Sequence, residues 1–238
     1  GEGPMRSGAA ISDMTAGLLA ANGIALAMLE REHTGKGQWI HTSLLEAQIF
    51  LLDFQAARWT VEHEVPPQAG NDHPTNVPMG VFSTSDGYIN LAPMGYMWAK
   101  LCGLLGLDDL INHAEFATAE ARFENRTAVN AAIEAVTPRR SCAEWIELMN
   151  HAGIPCGPIY TLDQTFNDPQ VRHLGVAQTV TSPVRGDIEI VGQPIHMTRT
   201  PNRVVAPAPE YGEHTEEVLE ALGYSDGDIA GFHERGVI

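Results

Sequence analysis

Apolar residues crowd positions 14–28 so densely that almost no polar face remains, and the pattern predicts a single helix over 12–32 that is buried on most of its surface. Ser12 or Asp13 is placed to cap its start. Gly17 and Gly23 each cost such a helix about 1 kcal/mol relative to alanine, which predicts close approach by another part of the chain. The charged turn Arg31-Glu32-His33 ends the helix, and Thr34-Gly35-Lys36-Gly37 turns the chain into a short predicted strand over 38–41. Thr42 or Ser43 then caps a second predicted helix from 44 to about 60.

Val65-Pro66-Pro67 stops that helix and reads as a linker. Beyond it, strands over 81–84 and 88–91 flank Ser85-Asp86-Gly87, a hairpin in which Asp-Gly is expected to supply positive φ. Helical periodicity follows over 96–105, 125–136 and 142–152, the last ended by Gly153 and Pro155. Alternation over 176–197 around Arg185-Gly186-Asp187 predicts two strands. The proline-rich segment 206–209 is extended, and a final helix is expected over 213–222.

Composition narrows the function classes. Fourteen basic against thirty acidic side chains give the 238-residue chain a net charge of −16, a field that repels nucleic acid and anionic lipid, so neither is an expected partner. Three cysteines without CxxC spacing speak against a disulfide framework and fit a reducing, cytoplasmic setting. The ten histidines fall singly, with no HxxxH or HExxH pair, so no metal is expected. Arg6 followed by the apolar run imitates a signal peptide, but Asp13, Asn22 and the absence of methionine at residue 1 favour a buried helix. The opening Gly-Glu-Gly-Pro reads as an interior cut through a longer protein, with a processed start as the other reading.

The run Ser12-Asp13-Met14-Thr15-Ala16-Gly17, the apolar helix, Thr34-Gly35-Lys36-Gly37-Gln38 and Ser43-Leu44-Leu45-Glu46-Ala47 occur in an order and spacing that resemble family III CoA-transferases, the group containing formyl-CoA and carnitine-CoA transferases. The likeness continues through Asp86-Gly87-Tyr88-Ile89, Arg122-Phe123-Glu124-Asn125-Arg126, Gly153-Ile154-Pro155-Cys156-Gly157-Pro158, Asp168-Pro169-Gln170 and Gly212-Glu213-His214-Thr215 to the closing Gly236-Val237-Ile238. The resemblance implies an α/β fold. In it, residues 1–68 and 173–238 belong to part of a Rossmann-like large domain, and residues 69–172 form an inserted smaller α+β domain. It also implies interlinked dimers, and an N-terminal half, absent from this chain, that carries most CoA-binding residues.

The resemblance assigns Asp13 as the nucleophile that carries the acyl group, through an aspartyl mixed anhydride and an aspartyl-CoA thioester. The chemistry suits the residue, since a carboxylate is ionised at neutral pH without a partner base and gains from the positive end of a helix dipole. The same placement also suits a plain helix cap. Leu44 matches a position lining the substrate pocket, or is simply a core leucine. Asn71, Asp72 and His73 occupy the region where formyl-CoA transferases carry a mobile glycine run. Here His73-Pro74-Thr75-Asn76 lacks that freedom, so either the loop moves less or another element shields the intermediate. Such an enzyme holds no tightly bound cofactor and takes a coenzyme A thioester and a carboxylic acid as substrates.

Several residues carry weaker signals. Thr34-Gly35-Lys36-Gly37 follows a helix and precedes a strand, the reverse of a phosphate loop, and reads as a turn. His41, His73 and His214 are possible acid-base groups and Cys156 a small hydrophobe. Two other functions stay open: a CoA-thioester racemase resembling α-methylacyl-CoA racemase, whose second acid-base group would lie outside this chain, and an inactive fragment lacking the CoA-binding half. A chain without that half is expected to expose the 14–32 helix and to pair with a second copy or with the missing half.

Overall fold

The computed structural model describes residues 3, 5–204 and 206–238. The fold is mixed α/β and divides into two compact units, Gly1–Ile159 and Tyr160–Ile238.

The first unit opens with helix α1 (Ile11–Thr34), which starts after Ala10 without a side-chain cap. The expected capping by Ser12 or Asp13 does not form because both already lie inside the first helical turn. Instead the Ser12 hydroxyl donates to Gln48 Oε1 at 2.6 Å. Gly35, at φ 69°, closes the other end with its N–H on the Arg31 carbonyl. Gly23 has a packing reason, since a Cβ there would stand 3.1 Å from Ile40 Cγ2, whereas Gly17 faces open space. The predicted burial of α1 is also absent within this chain: Ala16 is its buried residue, and Leu18 is 68% exposed. Among the described residues α1 is the one helix long and apolar enough to cross a membrane, a test that core helices also pass.

Residues 36–43 belong to no helix or strand, so the strand expected over 38–41 is not formed. Helix α2 (Leu44–Phe50) is capped by Ser43, whose hydroxyl accepts the Glu46 N–H at 3.1 Å. The single helix expected as far as Thr60 is broken at Asp53, which adopts φ 48°, and resumes as α3 (Phe54–Glu62). Positive φ at a non-glycine residue is incompatible with continuing a right-handed helix.

Strands β1 (Gly80–Ser83) and β2 (Tyr88–Leu91) pair antiparallel, with Phe82 opposite Ile89. The hairpin turn differs from expectation, because Gly87 does not adopt positive φ. Its four-residue loop is closed by the Thr84 N–H on the Gly87 carbonyl and by the Asp86 carboxylate, which accepts the Thr84 hydroxyl and the Cys142 N–H. Helices α4 (Trp98–Leu105), α5 (Ala119–Glu124), α6 (Arg126–Glu134) and α7 (Cys142–His151) follow. Strand β3 (Cys156–Pro158) then joins the far edge of β2.

Phe82, Ile89 and Leu91 alternate onto one face of this sheet and meet Trp98, Leu101, Val129, Ile133, Trp145 and Met149 in a single apolar core. Arg122, 3% exposed, crosses it with its guanidinium on the carbonyls of Val77 and Phe116 and over the Trp98 ring. Burial of a cation is tolerated there because carbonyl dipoles replace lost water.

The second unit contains α8 (Leu162–Asn167), α9 (Pro169–Leu174), the antiparallel pair β4 (Ala177–Ser182) and β5 (Gly186–Val191), and helices α10 (Thr215–Ala221) and α11 (Asp226–Glu234). Gly186 supplies φ 68° at the β4–β5 reversal, where the sequence pattern placed the turn. Helix α11 was not expected, although Ser225 and Asp228 form a full capping box at its start.

Candidate active site

Asp13 stands on the first turn of a 24-residue helix, exposed to solvent, where the unpaired N–H groups and the aligned peptide dipoles favour an anion. Its helix end is tied down by the neighbouring Ser12, whose hydrogen bond to Gln48 connects the first turn of α1 to α2. Gly17 lies one turn further along the Asp13 face and leaves open space beside it. Leu44 is the first residue of α2, exposed, and shares a face with Gln48 four residues on.

The segment holding Asn71, Asp72 and His73 is a fixed loop. Arg126 at the start of α6 donates from Nη1 to the His73 carbonyl at 2.8 Å and from Nη2 to the Pro74 carbonyl at 3.2 Å, with Asp72 Oδ2 3.8 Å away. Asn130, one turn later, donates from Nδ2 to both Asp72 oxygens at 3.2 and 3.3 Å. The His73 N–H donates to the Met79 carbonyl at 2.8 Å. Gly80 makes this packing possible, since a Cβ there would stand 2.6 Å from Asp72 Oδ1 and 3.0 Å from the Asn71 carbonyl oxygen.

His73 is held on three sides. Its Nδ1 accepts the backbone N–H groups of Thr75 and Asn76 at 3.2 and 3.1 Å. Its ring stacks on Phe54 at the start of α3, with centroids 6.0 Å apart and planes 13° from parallel. Asn71 is exposed, and the Asp72 carboxylate is taken up by Arg126 and Asn130.

Asp13 and Leu44 are thus joined through the α1–α2 pair, and Asn71, Asp72 and His73 through the loop and α3. Among the described residues no hydrogen bond or ion pair links the two groups. Arg126, Asn130, Phe54 and Gln48 were not recognised as parts of the site from the sequence. The first two had a signal in their i, i+4 spacing, which puts both on one face of a helix. His41 and His214 acquire no role: the first lies tilted at 46° against exposed Trp39, and the second precedes α10 without a side-chain cap hydrogen bond. Burial raises the Cys156 thiol to about 11, in keeping with an unreactive side chain.

Comparison with known proteins adds to this geometry. The profile of CoA-transferase family III matches residues 1–215. Succinyl-CoA:glutarate CoA-transferase of Mus musculus is 32% identical over 237 residues, covering 99% of this chain and 54% of its own length. Formyl-CoA:oxalate CoA-transferase of Rhodopseudomonas palustris strain BisA53 is 31% identical over 259 residues, covering 99% of this chain and 61% of its own. The chain therefore spans about half the length of the curated relatives it matches. A solved CAIB/BAIF family protein from Brucella suis superposes with a TM-score of 0.77 at 30% identity, over 92% of this chain and 57% of that one. Rv3272 from M. tuberculosis shares the fold, with a TM-score of 0.75 at 23% identity over 90% of this chain and 57% of that one.

Proposed function

Because the chain belongs to CoA-transferase family III, we propose that it moves coenzyme A from an acyl-CoA donor to a carboxylic acid, with Asp13 as the covalent carrier. The observation that carries this reading is the placement of Asp13 on the first turn of α1, solvent-facing and beside the open space at Gly17. A carboxylate there is free to reach an acyl carbon.

The steps balance without an added base. An Asp13 oxygen attacks the thioester carbonyl carbon, the C–S bond breaks, and the CoA thiolate leaves a mixed anhydride. The thiolate then attacks the Asp13 carbonyl carbon and displaces the donor acid as its carboxylate, leaving an aspartyl-CoA thioester. The acceptor carboxylate attacks that thioester to give a second anhydride and free thiolate. Attack of the thiolate on the acceptor's acyl carbon produces the new acyl-CoA and restores Asp13. Leu44 lines the acyl side of the site in this reading, and residues 71–73 border it. The fixed loop shields the intermediates by position rather than by closing over them.

The same reading places residues 1–68 and 173–238 in a Rossmann-like large domain and 69–172 in a smaller inserted one. The apolar core supports the smaller domain alone, since it draws its large side chains from residues 77–154 while α1–α3 bury little beyond Ala16 and Ala47. The exposed apolar surface of α1 supports a partner, either a second copy in an interlinked dimer or sequence beyond this chain. A reducing, cytoplasmic setting fits the three free thiols.

Incubation with succinyl-CoA followed by peptide mass analysis tests the proposal. The expected result is an acyl or CoA adduct on the peptide holding Asp13, absent in Asp13→Asn. Transfer activity that survives in Asp13→Asn would reject the assignment. Exchange of the α-proton without transfer of CoA would identify a racemase, and no reaction with any thioester an inactive chain.

A further inference from the structure

Arg122 is buried without an acidic partner. Its side chain forms no ion pair among the described residues. Nε donates to the Val77 carbonyl at 3.1 Å, and Nη1 donates to the carbonyls of Phe116 and Ala117 at 2.9 and 3.4 Å. Nη2 makes no hydrogen bond among the described residues. Carbonyl dipoles solvate a buried cation but leave its charge unmatched, and burial holds this guanidinium below the usual arginine range. The nearby Cys102 thiol supplies no anion, because burial raises it to about 11 and it stays protonated at neutral pH. Glu120 attracts the guanidinium only from a distance.

A second buried donor stands beside it. The guanidinium lies over the Trp98 ring, with Cζ 5.0 Å from the ring centre. Trp98 is 5% exposed, and its Nε1–H is buried with no acceptor among the described residues. A buried donor left unpaired loses the hydrogen bond it had with water, so such groups are rare in folded proteins, and here two belong to side chains in contact. Gly95 gives access to them. It is exposed at the start of a short turn over Gly95–Met97, between exposed Met94 and Tyr96. A Cβ built on Gly95 would meet no atom outside its own turn nearer than Arg122 Nη2, at 3.9 Å. A side chain at this position would fill the space in front of the guanidinium, and glycine leaves it open.

We infer that the space beside Gly95 binds a small carboxylate, with Arg122 Nη2 and Trp98 Nε1 as its donors. The unmatched charge selects an anion. The two donors select a carboxylate, whose two oxygens can take two N–H groups at once where a halide offers a single centre. The place of Gly95 against the guanidinium restricts the ligand to the size of formate or acetate, since the opening is that left by one missing side chain. Both donors are held by packing before the ligand arrives, Arg122 by three carbonyls and Trp98 by the apolar core, so binding orders no mobile side chain. This site does not depend on the transferase reading, and either can fail without the other.

The probe is formate, exchanged for chloride at constant ionic strength and neutral pH, on the protein expressed from its whole reading frame. A ligand of so few atoms is expected to bind no more tightly than about millimolar. The indole N–H resonance of Trp98, assigned through its own backbone, should shift saturably as formate is added. Tm at about 0.1 M formate should exceed that in equal chloride by about 2–4 °C. Gly95→Asp supplies a carboxylate from within the chain, at a position whose φ lies outside the left-handed region and so imposes no backbone strain. Its Tm should equal or exceed that of the formate-saturated wild type, and its response to formate should be lost. A Trp98 resonance unmoved by formate in the wild type overturns the inference, because the two donors are then served by water alone. A formate response in Gly95→Asp equal to that of wild type also overturns it, because formate then acts elsewhere. If Gly95→Asp does not fold, the indole titration of the wild type decides by itself.

Discussion

The Ser12 hydroxyl donates to Gln48 Oε1 at 2.6 Å, and this one bond ties the first turn of α1 to α2 at the position next to Asp13. Helix ends fray unless something holds them, and the start of α1 has no cap of its own. Gln48→Ala removes the tie at an exposed site. The expected loss of stability is about 1 kcal/mol or less, read from urea unfolding. Adduct formation on Asp13 should slow by up to about fivefold, because loss of about 1 kcal/mol of positioning has that effect on a rate.

Gly80 is required by packing. Its φ is not in the left-handed region, so alanine meets no backbone strain there, but the new Cβ would lie 2.6 Å from Asp72 Oδ1 and 3.0 Å from the Asn71 carbonyl oxygen. One neighbour is a side chain held by Asn130, and the other is backbone, so neither moves freely. Gly80→Ala should destabilise the protein by about 1–3 kcal/mol, the usual cost of overpacking. Amide exchange over residues 71–76 should accelerate in the same variant.

Asp86 gives the hairpin an acid-sensitive contact. Its carboxyl is held below the usual aspartate range, first by the Cys142 backbone N–H and also by the Thr84 hydroxyl, which outweigh desolvation. A carboxyl whose folded pKa is depressed contributes stability that is complete above its unfolded pKa, near 3.8 here, and is lost as pH falls through the lower folded value. Asp86→Asn should therefore remove that part of the acid-induced decline in Tm below about pH 4. A Tm profile parallel to wild type down to pH 2.5 would show that the contact contributes nothing.

The sequence by itself determined the elements whose signals are local. The run around α1, the Ser43 cap, the pairing of β1 with β2, the helices of the core and the β4–β5 hairpin all follow from short-range periodicity and capping chemistry. The order of motifs around Asp13 was equally legible, and the family match over residues 1–215 agrees with it. Tertiary structure decided what depends on distant partners. A run of sequence cannot show that Gly23 meets Ile40 while Gly17 faces open space, or that α1 finds too little chain here to cover it. Nor does any local rule foresee the break at Asp53 or a hairpin closed by the Asp86 side chain in place of positive φ at Gly87. The loop at 71–76 shows the division most clearly. Its lack of glycine was visible in the sequence, but the hydrogen bonds that hold it come from Arg126 and Asn130 more than fifty residues away, and only folding brings their donors to its carbonyls and its carboxylate.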